Sequence, residues 1–104
     1  MYETIYQGST PMQEITLPIP TDLIKEAIVT YVQDDKIVFE RKSPDGISFN
    51  GYDLVFKLTQ EETFALEANK IVAIQLVIKL SDDDVVPADP IYAYTAERYN
   101  KEIL

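Results

Sequence analysis

The 104-residue sequence contains no histidine, no cysteine and no tryptophan, and it has only three glycines. Zinc sites with nitrogen and sulfur ligands, haem ligation by imidazole or thiolate, and iron–sulfur clusters are therefore excluded. Ser-His-Asp and Cys-His nucleophiles are excluded too, because both need a histidine base. Carboxylate, lysine and tyrosine chemistry remain, and we expect no bound cofactor.

The carboxylate pairs of the chain do not resemble a catalytic pair. A glycoside hydrolase needs two acids held several ångströms apart across a cleft. Here Glu61-Glu62 and Asp34-Asp35 are sequence neighbours at an expected helix start and an expected turn, where acids are favoured for structural reasons. We therefore expect a protein without enzymatic activity.

Basic residues are scarce: nine Lys and Arg stand against 18 Asp and Glu, which gives a formal net charge of −9. A field of this sign repels phosphate backbones and anionic membrane surfaces, and no Lys/Arg cluster offsets it. Nucleic acid and membranes are therefore not expected partners. An acidic inhibitor of a host DNA-binding protein is an alternative function, although it would favour denser acidic tracts than these.

Long apolar runs are also lacking. The most apolar segment, residues 71–80, is interrupted by Gln75 and Lys79 and is far shorter than the roughly 20 residues of a membrane helix. The first residues, Met1-Tyr2-Glu3-Thr4, carry an acid where a secretory signal needs basic residues. We expect a protein that is synthesised in the cytoplasm.

The residues that are present favour strands. Ile, Val, Thr, Tyr and Phe outnumber Ala, Leu and Met, and six prolines with several acidic or Asn-Gly bends divide the chain into strand-length pieces. A chain of this size can bury one core. The sequence predicts a single all-β domain over residues 1–104, an immunoglobulin-like sandwich of about seven strands with one short crossover helix near residues 60–66.

Several elements of this sandwich can be placed. Residues 23–33 and 36–42 form a hairpin around Asp34-Asp35, with apolar residues on both faces and with Phe39 on the face of Ile37. A two-residue Asn50-Gly51 turn opens a second hairpin. The remaining predictions are Phe49 opposite Tyr52, a capping box from Thr59 to Glu62, a central strand over residues 72–80, and a last strand split by Pro87 and Pro90.

The run Asp82-Asp83-Asp84, with Asp89 nearby, is the most metal-like feature, because Ca²⁺ prefers clustered carboxylate oxygens. The run lacks the alternating acids, the central glycine and the terminal glutamate of an EF-hand loop. The alternative is a solvated turn that separates two apolar strands, since Asp is favoured in turns. A calcium- or carbohydrate-binding sandwich is therefore a further candidate function.

Tyrosine is the more informative residue type. The candidate interaction residues are Tyr2, Tyr6, Tyr92, Tyr94 and Tyr99, which lie near the two termini. Tyrosine is favoured at protein interfaces because it combines apolar area with a polar tip. Packing of Tyr92 and Tyr94 within the sandwich is the alternative. Terminal strands are often sheet edges, where a partner could extend the sheet.

Six short segments together resemble small prophage proteins of Gram-positive bacteria, and more closely the immunoglobulin-like N-terminal domain of phage baseplate upper proteins. These segments are residues 5–11, Leu17-Pro18, residues 23–26, Val29-Thr30-Tyr31, residues 57–63 and Ile74-Gln75-Leu76. The resemblance implies a non-enzymatic structural or assembly role in a tail, baseplate or head. It brings no catalytic residues.

Baseplate upper proteins continue into a long fibre-like or receptor-binding region, whereas this sequence stops at Leu104. The resemblance therefore implies an adaptor, decoration or assembly factor rather than a fibre. Its expected partners are other virion or phage assembly proteins, or further copies of the same chain. Its expected locations are the bacterial cytoplasm, where it is made, and the virion.

Overall fold

Nine strands, one short helix and one 3-10 turn make up residues 3–104, the part of the chain that the computed structural model describes. The strands are β1 (Glu3–Tyr6), β2 (Met12–Thr16), β3 (Ile24–Gln33), β4 (Lys36–Lys42), β5 (Ile47–Asn50), β6 (Asp53–Lys57), β7 (Lys70–Leu80), β8 (Val85–Pro87) and β9 (Ile91–Ala96). The 3-10 turn spans Thr21–Leu23, and helix α1 spans Gln60–Phe64.

The strands form two sheets. Sheet A has the order β1-β9-β7-β3-β4, with β8 paired to β7 beyond the end of β9, and sheet B has the order β2-β6-β5. Without β1, these orders match the G-F-C-C′ and B-E-D orders of a variable-type immunoglobulin sandwich. The predicted all-β sandwich is confirmed, with nine described strands instead of about seven. Strand β1 pairs with β9 in parallel.

The core lies between the sheets. Val72, Ile74, Leu76 and Ile78 alternate inward along β7, which confirms the predicted central strand. They face buried residues of sheet B, among them Leu54 and Phe56. The strong period-2 stripe therefore follows from burial of one face of β7 against the opposite sheet.

The first hairpin is confirmed around Asp34 and Asp35, whose φ angles of 52° and 61° suit a tight two-residue turn. The prediction for Phe39 is wrong. A register shift after Tyr31 pairs this tyrosine with Phe39, and the two rings stack with centroids 4.4 Å apart. One extra residue on β4, at Val38, turns the next side chain to the other face.

The second hairpin forms, but the predicted register with Phe49 opposite Tyr52 is wrong. Asn50 pairs with Asp53 and Phe49 pairs with Leu54, so the loop residues are Gly51 and Tyr52. An Asn-Gly loop of type I′ needs positive φ at both residues, whereas here only Gly51 has it. The Gly51 carbonyl accepts from both the backbone N–H and the hydroxyl of Thr21, which fixes the turn against the segment after β2.

Helix α1 confirms the predicted crossover between the sheets, because it links β6 in sheet B to β7 in sheet A. Its capping box is complete. The Thr59 hydroxyl accepts from the Glu62 N–H, and the Glu62 carboxylate accepts from the Thr59 N–H. The same carboxylate pairs with Arg41 of β4, so α1 is tied to an edge strand of sheet A.

Candidate interaction surfaces

Three of the candidate tyrosines lie on the outer face of sheet A. Along β9 the side chains of Ala93 and Thr95 are buried, and Tyr92 and Tyr94 point outward with 43% and 37% of their area exposed. The alternative that they pack within the sandwich is therefore wrong. Tyr6 on β1 is paired with Ala96, so it is a diagonal neighbour of Tyr94 on the same face.

The other two candidates are separate from this group. Tyr99 lies after β9 and is 91% exposed, outside any strand. Tyr2 lies outside the described residues. Of the two terminal strands, β1 is a sheet edge as predicted, whereas β9 is covered by β1 and is not.

The outer face of sheet A is apolar well beyond the tyrosines. The strand registers align Tyr92, Ala73, Val32 and Ile37 in one row across four strands, a span of about 14 Å at the usual strand spacing. Ile71 is paired with Tyr94 in the next row. We call these residues, together with Tyr6 and Ile28 on the same side of the sheet, the outer face. Ile37 is its most exposed member at 65%.

The sequence carried a signal for the outer face. Residues 28–32 and 37–39 have apolar side chains on both faces of their strands, whereas a strand with one solvated face alternates between apolar and polar residues. The structure resolves this pattern: Val29 and Tyr31 are buried, and Ile28 and Val32 are half-buried on the outer face. The apolar excess of this hairpin therefore belongs to the surface.

The candidate calcium residues do not converge on one point. Asp82 accepts from the backbone N–H of Asp84 inside the turn, and the Asp83 carboxylate pairs with Lys25 at 2.9 Å. Within residues 3–104, no group of three acidic side chains is arranged to hold a metal ion. The run has the geometry of the solvated turn, with Asp83 at a φ of 71°.

A groove opens at one side of the sandwich beside β8. Its walls are wholly apolar and enclose about 290 Å³. The lining residues are Leu17, Pro18 and Ile19 after β2, Leu76, Ile78 and Leu80 of β7, and Val86 and Ala88 of β8 and the residues that follow it. We call this side of the sandwich the open flank. It was not predicted, since its walls come from three distant parts of the chain.

The neighbouring side, beside β9, is closed by β1. The Ile5 side chain is buried between the sheets, and Gln13 of β2 donates to the Glu3 carboxylate at 3.2 Å. Arg98 donates to the Gly8 carbonyl at 3.1 Å and lies over the Phe64 ring at 5.5 Å. We call β1, the Gly8 turn and Arg98 the closed flank.

A buried polar contact lies behind the closed flank. The Tyr31 hydroxyl donates to the Gln13 side-chain oxygen at 3.0 Å, so β3 of sheet A is bonded to β2 of sheet B. Burial raises the pKa of Tyr31 far above its usual value, and the nearby Glu3 and Glu62 carboxylates raise it further against the opposing effect of Arg41. Tyr31 is therefore a neutral structural group.

Comparisons with protein-family models, with curated proteins and with solved structures found no match for this chain. Among the described residues, no helix is long and apolar enough to cross a membrane.

Proposed function

We propose that the protein is a non-enzymatic structural or assembly module of a phage or prophage particle, acting in a tail, baseplate or head by docking onto another protein. The observation that carries the docking role is the outer face of sheet A. Strands β9, β7, β3 and β4 each present an apolar or aromatic side chain there, in one continuous row. The phage context rests on the sequence resemblance.

The composition of the outer face supports a protein partner. Apolar area is combined with the hydroxyls of Tyr92 and Tyr94, and aromatic residues of this kind are enriched at the centres of protein interfaces. The Tyr94 hydroxyl donates to Asn69 at 3.1 Å, so this ring is held in place before any partner binds. Preorganised anchors lower the entropic cost of association.

The edges of the row support the same proposal. Glu40 and Lys42 of β4 follow Ile37 along the strand, and both are exposed. Depletion of charge at the centre with charged residues at the margin is the usual arrangement of a docking surface. The high negative charge of the chain lies mainly elsewhere, at turns and strand ends, where it opposes unspecific aggregation.

The test is capture of named partners. The tagged chain is coexpressed with each virion structural protein encoded beside it, and complexes are isolated and sized by light scattering. We expect one of these proteins, or a second copy of the chain, to bind. Ile37→Arg and Ile71→Arg should abolish that complex, because each places a charge within the outer face.

Met12→Arg is the matched control, because Met12 is 60% exposed on β2 of sheet B, the other layer of the sandwich. This variant should retain the complex. A chain that stays monomeric and retains none of the neighbouring virion proteins would contradict the proposal. Equal loss of binding in the Met12→Arg control would place the docking surface elsewhere.

A further inference from the structure

The geometry of the open flank points to a second docking site: we propose that β8 and the groove beneath it bind an extended peptide segment with alternating apolar residues and a basic residue at each end. This site is separate from the outer face. It does not depend on the phage assignment, since it is argued from β8, the groove and the local charge alone.

The edge of β8 offers backbone groups to such a segment. Leu80 donates to the Asp84 carbonyl, and Ala88 donates to the Leu76 carbonyl. Because bonded and non-bonded pairs alternate in an antiparallel ladder, the N–H and C=O of Val85 and the C=O of Pro87 point away from β7. These three groups face the side on which β1 covers β9 farther along the sheet.

The groove supplies the side-chain pocket. In a strand laid beside β8, the residue opposite Val86 shares its face and points between the sheets. Val86 is 44% exposed there and forms one wall of the apolar cavity of about 290 Å³. Pockets for polar small molecules carry convergent polar groups, which these walls lack, so an aliphatic or aromatic side chain is the fitting occupant.

The acidic residues on either side of β8 favour basic residues at the two ends of the bound segment. Asp84 immediately precedes β8 and Asp89 follows it by two residues, a separation of about 16 Å along an extended chain. Neither forms an ion pair among the described residues, whereas Asp83 is paired with Lys25. A strand with Lys or Arg about five to six residues apart would place a positive charge near each free carboxylate, and a neutral or acidic strand would not.

Pro87 limits how many hydrogen bonds the edge can form, because it has no N–H, and proline is one of the devices that keep edge strands from pairing without selection. Selectivity for a peptide segment therefore comes from the groove and the two acids. The few backbone hydrogen bonds set only the direction of the bound strand. This is the pattern of strand addition, in which pockets for alternate side chains provide specificity.

The probe is the synthetic peptide Lys-Ile-Thr-Leu-Thr-Ile-Lys, acetylated and amidated, titrated into the isotopically labelled full chain and followed by amide chemical shifts. Its leucine and isoleucines share one face, and its lysines flank them. We expect shifts confined to residues 17–19, 76–80 and 84–89. The peptide with both lysines replaced by glutamate should bind at least about tenfold more weakly, which is about 1.4 kcal/mol.

Matched variants distinguish binding of the peptide in the groove from nonspecific binding. Val86→Asn makes the groove wall polar and should weaken binding about tenfold, whereas Val85→Asn, on the opposite face of the same strand, should leave it nearly unchanged. Asp84→Asn with Asp89→Asn should weaken binding several-fold and reduce its salt dependence. Thermal melts verify that each variant is folded, and the peptide controls need no variant at all.

Absence of shifts at about 1 mM peptide, which marks an affinity too weak for a specific site, would overturn the proposal. Shifts on the outer face, or equal binding of the glutamate peptide, would overturn it as well. Sedimentation of the full chain tests whether a second copy of the chain occupies the groove. A dimer that Val86→Asn dissociates, and that excludes the peptide, would assign the groove to this second copy instead.

Discussion

The open and closed flanks both lie beside strand β7. They differ in what covers the strand paired with β7, which is β8 in the open flank and β9 in the closed flank. Beside β9, strand β1 inserts Ile5 between the sheets, and Arg98 fastens the Gly8 turn to α1. Beside β8 no described strand follows, and the apolar interior ends in a groove. Both flanks lie on the same side of β7. The chain itself covers β9 there, whereas β8 has no further strand beside it among the described residues.

The two flanks are also protected from aggregation by different means. The closed flank has its apolar side chain buried. The open flank keeps a three-residue edge strand that ends in Pro87 and is bordered by Asp84 and Asp89. Short length, proline and charge are the usual ways in which an exposed edge is kept from unselective pairing. An edge protected in this way can still accept a strand of complementary charge.

The largest expected contrast between the flanks is in stability. Ile5→Ala should lower the free energy of unfolding by about 3 kcal/mol, because it leaves a cavity at a side chain that is only 1% exposed. Val86→Ala should cost less than about 1 kcal/mol, since Val86 is already partly in water. Chemical denaturation of both variants measures the difference. Equal losses would mean that the groove wall is as tightly packed as the core.

Two of the three glycines with positive φ, Gly8 and Gly51, give the next contrast. A Cβ at Gly8 would lie 2.3 Å from the Phe64 ring and 2.5 Å from the Arg98 guanidinium, so Gly8→Ala should cost about 2 to 3 kcal/mol. Gly51 has open space around it and a similar φ, so Gly51→Ala should cost only about 1 kcal/mol of backbone strain. Thermal and urea unfolding measure the loss of stability in both variants. A smaller loss for Gly8→Ala than for Gly51→Ala would show that Phe64 and Arg98 can move away from the added methyl group.

The Tyr31 hydroxyl tests the polar contact behind the closed flank. Tyr31→Phe should cost about 1 to 2 kcal/mol at neutral pH, because it removes a hydrogen bond and leaves the Gln13 oxygen without that donor. The pKa of Tyr31 is raised in the folded state, so the folded protein keeps this proton when the unfolded chain loses it near pH 10.

The stability due to this proton is complete below about pH 10 and is lost as the pH rises further, by about 1.4 kcal/mol per pH unit. Urea unfolding of the wild type and of Tyr31→Phe between pH 8 and pH 11 isolates this group, since the other titrating residues are common to both chains. Parallel profiles would contradict the assignment of a buried, protonated tyrosine.

Ion contacts should give the smallest contrast. Arg98→Ala should cost about 1 kcal/mol, because the half-buried guanidinium contacts Gly8, Phe64 and the Glu102 carbonyl. Lys25→Ala should change stability by less than about 0.5 kcal/mol, since the Lys25–Asp83 pair of the open flank is solvent-exposed. Denaturation in low and high salt distinguishes the contribution of packing from that of charge. Only a loss of stability in Arg98→Ala that does not depend on salt would fit the contact of Arg98 with the Phe64 ring.

Local patterns explain which parts of the fold could be predicted. The stripe along β7, the acidic turn at Asp34-Asp35 and the capping box at Thr59 are set by nearby residues, and all three are confirmed. The register of the second hairpin was missed because Thr21, 30 residues away from Gly51, fixes that turn from outside. The extra residue at Val38 was missed for a similar reason, since a bulge leaves no pattern in one strand alone.

The surfaces divide in the same way. Outward tyrosines at spacing two could be placed on one strand from sequence, and Tyr92 and Tyr94 do share a face. The row that they form with Val32 and Ile37 depends on strand order, and the groove depends on contacts between residues about 60 positions apart. Such long-range neighbours are a property of the topology, which no local spacing encodes.

The division of β7 between two short partners has a consequence for how the molecule opens. Only three residue pairs join β8 to β7, whereas β9 has five pairs with β7 and is backed by β1 on its other side. We therefore expect residues 81–88 to detach from sheet A more easily than β9 does. Subglobal opening is lowest in free energy where backbone contacts are few and exposed. We thus expect the amide hydrogens of the hairpin beyond residue 80 to exchange before those of β9.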